Sequence, residues 1–291
     1  MSPTVPANRV TIVEVSPRDG LQNEKARLPA SAKVELVDRL SAAGFPTIEV
    51  TAFVSAKAVP QLADASEVMA GIRRAPGVRY TVLVPNLKGF ERAVAANADG
   101  IVVFGAASET FSRRNINCSI AESIERFRPV VAAARAAGIP VRGTISCALG
   151  CPYEGDVPPM AVARVAAELA ALGVDECSVA DTIGVGHPEG TRLVMEEVFA
   201  HFAPTRINGH FHDTYGRALA NIGACLDLGI RSFDSSVSGL GGCPFAPGAT
   251  GNVPTEDVLV LMAERGFATG VKQAEVRETG RWIRALLSAR Q

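Results

Sequence analysis

The chain lacks a charged block of either sign. Its 29 Lys and Arg and 30 Asp and Glu are spread along 291 residues and leave a formal net charge of −1. Without a basic tract there is no electrostatic footprint for nucleic acid, and without an acidic tail there is none for a histone-like partner. No apolar run approaches the roughly 18 residues that a membrane-spanning helix needs, so no membrane partner is expected. The N-terminal MSPTVPANRV has neither the apolar core of a secretion signal nor the Arg- and Ser-rich character of an organelle presequence, which points to the cytoplasm. The six cysteines, at 118, 147, 151, 177, 225 and 243, show no paired zinc spacing: Cys147 and Cys151 in SCALGCPYEG have no second pair. Reduced thiols are the expectation. No linker rich in Pro, Gly or Ser divides the chain, so one domain over 1–291 is expected.

What is there is a large apolar reserve, 47% of residues, arranged in a repeating order. Short β-rich runs occur at 10–15, 47–53, 79–84, 100–105, 140–146, 176–181, 206–212 and 232–237. Between them lie segments such as SAKVELVDRLSAAG and MAVARVAAELAALG, with apolar residues at i, i+3 and i+4 and a terminal Gly. KQAEVRETGRWIRALLS reads as a terminal helix at about 273–289. Eight strands, each followed by a helix, is the count of an α/β (β/α)8 TIM barrel. A doubly wound open sheet is the alternative, because the fourth unit shows no obvious long helix before SETFSRRNINCS, which reads as a loop.

In a barrel, chemistry sits at the C-terminal ends of the strands. The polar residues that interrupt the strand patterns are Arg18 and Asp19, Glu49, Asn86, Ser146, Cys147, Asp181, His210 and His212. GHFHD is the most informative stretch. Residues two apart on a strand face the same way, so His210 and His212 direct two imidazoles to one side, against the simpler reading of ordinary core histidines. His187 and His201 read as solvated. Asp19, from the first strand, would lie one strand from the pair in a closed barrel, and Asn252 offers an amide oxygen unless it is only a turn residue after Gly251. Two nitrogens and two oxygens with one negative charge suit Mg²⁺ or Mn²⁺, with Zn²⁺ or Co²⁺ as alternatives. In SPRDGLQNE, strand alternation would send Arg18 and Asp19 to opposite faces, and Gly20 would permit the turn that ends the strand.

The Gly-rich loop SSVSGLGGCPFAPGATGN carries Cys243. A thiol on such a loop is suited to act as a general acid or base. Cys177 and Cys225 read as packing residues.

Together SPRDGLQNE, IEVTAFVS, VPNLKGFE, FGAASETF, NINCS, SCALGCPYEG, DTIGVG, HFHDTYGRALAN, GLGGCPFAPGATGN and TED resemble the 3-hydroxy-3-methylglutaryl-CoA lyase family, a branch of the DRE-TIM metallolyases. The likeness runs from about Val10 to about Gly270. The Arg-Asp pair and the HxH belong to the whole superfamily; the GLGGCP loop is the specific part. Ser238 and Phe245 stand where Ala and Tyr are expected, and Ala52 and Ala56 where Ser and Pro are. The resemblance implies metal-assisted cleavage of an acyl-CoA to acetyl-CoA and acetoacetate in leucine breakdown, by a homodimer. It implies Asp19, His210, His212 and Asn252 as metal ligands, Arg18 as substrate-binding and catalytic, and Cys243 as the catalytic thiol. Glu49, Asp181 and Glu256 are implied as supporting carboxylates, with Glu49 close to the chemistry. Asp19 or His210 would have to serve as the base. Gln22, Lys25 and Asn115 are candidate substrate contacts, and Lys25, Arg113 and Arg114 are either loop cations for CoA phosphate or ordinary solvated charges. Isopropylmalate and citramalate synthases share the metal set but usually carry a further C-terminal region. Hydroxy-oxo-acid aldolases should lack the thiol loop, and a lyase of a related 3-hydroxyacyl-CoA is a further alternative. A non-catalytic CoA-ester-binding barrel is the rival of another class.

Overall fold

The computed structural model describes residues 8–241 and 251–290. Eight strands run in order around a closed, all-parallel barrel: β1 (Thr11–Glu14), β2 (Thr47–Ala52), β3 (Arg79–Leu83), β4 (Gly100–Ala106), β5 (Val141–Ser146), β6 (Glu176–Asp181), β7 (Ile207–Phe211) and β8 (Ser232–Ser235). Closure is made by β1 on β8, with Thr11 opposite Ser232 and Glu14 opposite Ser235. The barrel excludes the open-sheet alternative. Seven of the strands fall within the apolar runs of the sequence, and β4 extends one residue past its run, to Ala106.

Ten helices among the described residues surround the barrel. They include α1 (Ala30–Ala43), α2 (Ala65–Gly71), α3 (Leu87–Ala95) and α4 (Glu109–Ile116). After α5 (Ile120–Ala136) come α6 (Pro159–Leu172), α7 (Pro188–Val198), α8 (Ala218–Asp227), α9 (Thr255–Glu264) and α10 (Gln273–Ser288). The stops after α1 and α6 are glycines in the left-handed region, Gly44 at φ 93° and Gly173 at φ 87°, conformations that a side chain opposes. Outward-facing Ile12, Ile48, Tyr80, Phe211 and Phe233 are fully buried against the helices. Among the described residues no helix is long and apolar enough to cross a membrane.

SETFSRRNINCS is not a loop. Its central residues form α4, which Ser108 begins by accepting a hydrogen bond from the N–H of Phe111 at 3.1 Å. Glu154 takes the N–H of Thr110 at 2.7 Å. The segment is polar and only eight residues long, so its single buried aromatic, Phe111, gives no periodic signal. Arg113, Arg114 and Asn115 therefore stand on a helix, all exposed. The fourth unit supplies its long helix afterwards, as α5, whose first turn is closed by reciprocal hydrogen bonds between Ser119 and Glu122.

Glu14, at the end of β1, is wholly buried. Its carboxylate accepts from the N–H groups of Ser16 (3.0 Å) and Val237 (3.0 Å) and from the hydroxyl of Thr255 (2.7 Å). Burial pushes its pKa from about 4.5 up to about 7, against the pull of those hydrogen bonds. A raised carboxylate pKa means that the folded protein binds the proton more tightly than the unfolded chain. The stability from this group is thus fully present below the unfolded value and is lost as pH rises through the folded one. Glu14 should remove on the order of 3 kcal/mol of stability across that window. Urea unfolding on either side of it should show the loss in the wild type and a shallower loss in Glu14→Gln. Equal slopes would refute the assignment.

Candidate active site

The chain leaves β1 through a single turn of π-helix, Ser16–Gly20, in which the N–H groups of Arg18, Asp19 and Gly20 all converge on the carbonyl of Val15, at 3.2, 2.8 and 3.1 Å. Strand alternation does not extend into this turn. Arg18 and Asp19, expected on opposite faces, are instead hydrogen-bonded to each other, Nη1 to Oδ1 at 2.6 Å. Gly20 permits this turn by its smallness and not by a left-handed φ. A Cβ there would lie 2.9 Å from both Leu240 Cβ and Ser236 Oγ. Its smallness lets the turn pack on the segment after β8.

Arg18 reaches Glu49 on β2 through Nε. The β2–β3 register shifts between Glu49 and Thr51, an irregularity of the kind that re-aims a side chain near a strand end. Burial alone would discourage the guanidinium's charge, but Glu49 and then Asp19 outweigh it and raise its pKa further.

On β7 the alternation places Asn208 and His210 toward the barrel axis, and His212 follows just beyond the strand. The two imidazole centroids lie 5.4 Å apart. The segment after residue 250 returns to the barrel mouth beside them. Asp213 donates to the carbonyl of Gly251 at 2.8 Å, Val253 to Phe211 at 3.1 Å and Ser236 to Val253 at 3.1 Å. This lays Asn252 against His212. Asn252 is buried, donating Nδ2 to Asp19 Oδ2 at 2.7 Å and to the carbonyl of Leu240 at 3.2 Å. A half-turn of the carboxamide would bring its oxygen to the same place.

Asp19, His210 and His212 can each offer an atom to one centre, all within 4.8 Å of one another. Burial would raise the Asp19 pKa, yet Arg18, the two imidazoles and Asn252 together hold it below the usual carboxylate range. Burial and the neighbouring His210 push His212 down to about 4, so it is neutral near pH 7. Its Nδ1 is buried without a protein partner. A carboxylate, two imidazoles and an unpaired buried nitrogen fit a divalent cation.

The remaining sequence candidates lie apart from this cluster. Asp181 accepts from the N–H groups of Val185 (3.1 Å) and Gly186 (2.9 Å), bracing the turn after β6, and burial raises its pKa to about 6. Its carbonyl receives the N–H of His212 at 3.3 Å, so its support of a candidate ligand is through the backbone. Glu256, at the start of α9, accepts from the N–H of Ser238 at 2.9 Å; none of its hydrogen bonds goes to Asp19, either His or Asn252. Gln22 is half-buried and Lys25 exposed in the loop after the π-turn. Cys243 lies outside the described residues. Cys177 and Cys225 are fully buried. Two residues that the sequence reading passed over stand below the cluster, Asp234 on β8 and Arg142 on β5. Each is a charge at an inward strand position, which demands a partner, and that demand was their only signal.

The HMGL-like family model matches residues 9–283. The chain belongs to that family. A Pseudomonas aeruginosa protein named 3-hydroxy-3-isohexenylglutaryl-CoA/hydroxy-methylglutaryl-CoA lyase is 57% identical over 96% of this chain and 93% of its own. The mouse cytoplasmic 3-hydroxy-3-methylglutaryl-CoA lyase is 56% identical over 94% of this chain and 80% of its own. The crystal structure of HMG-CoA lyase from Brucella melitensis superposes with a TM-score of 0.95 at 54% identity, covering 97% of this chain and 99% of that one.

Removing one member of a buried ion pair strands the other charge, which typically costs about 3 to 5 kcal/mol. Glu49→Ala should therefore destabilise the protein by about 3 kcal/mol, Asp19 offsetting part of the loss. Denaturant unfolding checks this, and an unchanged midpoint would mean that water meets Arg18 equally well.

Proposed function

We propose that this member of the HMGL-like family cleaves (S)-3-hydroxy-3-methylglutaryl-CoA to acetyl-CoA and acetoacetate. The observation that carries the reading is the buried Asp19–His210–His212 cluster with Arg18 one hydrogen bond away. Asp19, His210, His212 and Asn252 would hold a divalent cation, Mg²⁺ or Mn²⁺ suiting the mixed nitrogen and oxygen set, with Zn²⁺ or Co²⁺ as alternatives. When bound, such a cation supplies Lewis acidity toward the substrate's hydroxyl and free carboxylate.

The reaction takes the proton from the tertiary hydroxyl, breaks the C2–C3 bond and returns a proton to C2. Arg18 keeps its charge throughout, and Glu49 and Asp19 fix its direction. It would stabilise the oxygen of the thioester enolate as the bond breaks. Asp19 or His210 would serve as the base while also acting as a ligand. Cys243 would protonate the acetyl-CoA carbanion. Gln22, Lys25 and Asn115 are assigned to the CoA ester, and Asp181 and Glu256 to supporting the mouth. Leucine breakdown is the proposed context. We place the protein in the cytoplasm, as the mouse relative is named, working as a homodimer without nucleic-acid or membrane partners.

The name of the Pseudomonas relative favours one extension, that the C3 substituent need not be methyl. Acetoacetate formation from the methyl substrate, with and without EDTA and with Mg²⁺ restored, tests the main reading; cleavage of the isohexenyl ester tests the extension. Metal-independent turnover, or none, would overturn the first. Arg18→Gln should lower turnover by on the order of 10² to 10³ or more while folding and Mn²⁺ binding persist. Cys243→Ser should slow turnover and spare substrate binding; full activity in that variant would remove the thiol from the mechanism.

A further inference from the structure

Below the Asp19–His210–His212 cluster the barrel interior carries a second group of charges. His210 on β7 stands opposite Asp234 on β8 in the strand register. Asp234 Oδ2 lies 3.0 Å from His210 Nδ1, and its other oxygen, Oδ1, accepts from Arg142 Nη1 at 3.1 Å. Arg142 continues through Nε and Nη2 to Glu176 Oε2, at 3.1 and 2.8 Å. Asp234 and Arg142 are 6% and 9% exposed, so neither exchanges these partners for water.

The donors and acceptors in this chain are constrained. A guanidinium only donates, and a carboxylate paired with it only accepts. At His210 Nδ1 the donor must then be the ring. A neutral imidazole that carries its proton on Nδ1 has its lone pair on Nε2. His212 has no comparable partner, since its Nδ1 is buried unpaired. The two imidazoles are therefore unequal.

We propose that Asp234 is a positioning residue: by accepting the Nδ1–H of His210 it fixes the tautomer and ring direction that present a bare Nε2 to the Asp19 cluster, and Arg142 holds the Asp234 carboxylate in place through its other oxygen. This rests on the cation reading above and adds which nitrogen is the ligand and what selects it. Partners that orient a metal-binding His in this way are generally worth about 10- to 100-fold in metal affinity.

Asp234→Asn makes a directional test. Arg142 must still face an acceptor, so the carboxamide oxygen turns to Arg142 and its NH₂ turns to His210. An NH₂ facing Nδ1 needs a lone pair there, which moves the ring proton to Nε2. Long-range ¹H–¹⁵N correlation spectra of the metal-free protein, above the pH at which His210 titrates, read the tautomer directly. The wild type should show Nδ1–H and Asp234→Asn should show Nε2–H, with Mn²⁺ affinity by calorimetry lower by about 10- to 100-fold. Adding Arg142→Met frees the carboxamide to turn its oxygen to His210; the double variant should regain Nδ1–H and part of the affinity, which a purely structural role for Asp234 would not produce. An Nε2–H ring in the wild type overturns the inference, and that measurement decides it should the variants fail to fold. If the wild type binds no Mn²⁺, the cation reading itself fails. If it binds Mn²⁺ and Asp234→Asn binds it equally well, that reading stands and this inference falls.

Discussion

Taking a guanidinium out of water costs several kcal/mol unless carboxylates meet it in good geometry. This barrel does so twice, with Arg18 held by Asp19 and Glu49 at the mouth and Arg142 held by Asp234 and Glu176 inside. Of these carboxyl groups, Asp19 stands beside the two imidazoles, and Arg18 holds it well below the usual carboxylate range against the effect of burial. A divalent cation would meet that negative charge. Asp19 turns one oxygen to Arg18 and the other to Asn252. The residues that hold Arg18 also prepare the place where positive charge is wanted.

Position is supplied by strand parity and by closure. Barrel interiors are usually filled by branched apolar side chains, whereas here β5, β6, β7 and β8 send Arg142, Ser178, Asn208, His210 and Asp234 inward. They are satisfied by one another: Asn208 donates to Ser178 at 3.1 Å and accepts from Ser232 at 2.8 Å. A polar interior that is fully paired is rigid, and His210 inherits that rigidity through Asp234. His212, just beyond the strand, is held instead by backbone hydrogen bonds and by the segment carrying Asn252.

Much of this was legible in the sequence. The eight strands, the helices that stop at glycine and the pairing of His210 with His212 follow from periodicity, because burial on a fixed period leaves a regular trace. Asn252 could be placed only through the family resemblance; what fixes it is a set of backbone hydrogen bonds between segments distant in the chain. The pairing of Arg18 with Asp19 was misread because alternation was carried past the end of β1 into a turn where three N–H groups share one carbonyl. α4 was missed because a short polar helix that buries one aromatic has no period to detect. Asp234 and Arg142 were missed for another reason: a charge in mid-strand gives no hint of its partner when that partner lies 92 residues away.

The mouth of the barrel joins the two ends of the chain. Asp19 meets Asn252 across 233 residues, and Glu14 meets Thr255 across 241. At synthesis rates of about 5 to 20 residues per second, Arg18 and Asp19 leave the ribosome on the order of ten to fifty seconds before the segment that completes their surroundings. The pocket comes into being late and all at once, when β8 closes on β1, so a growing chain has no assembled centre with which to capture a cation or a thioester before the barrel around it is finished.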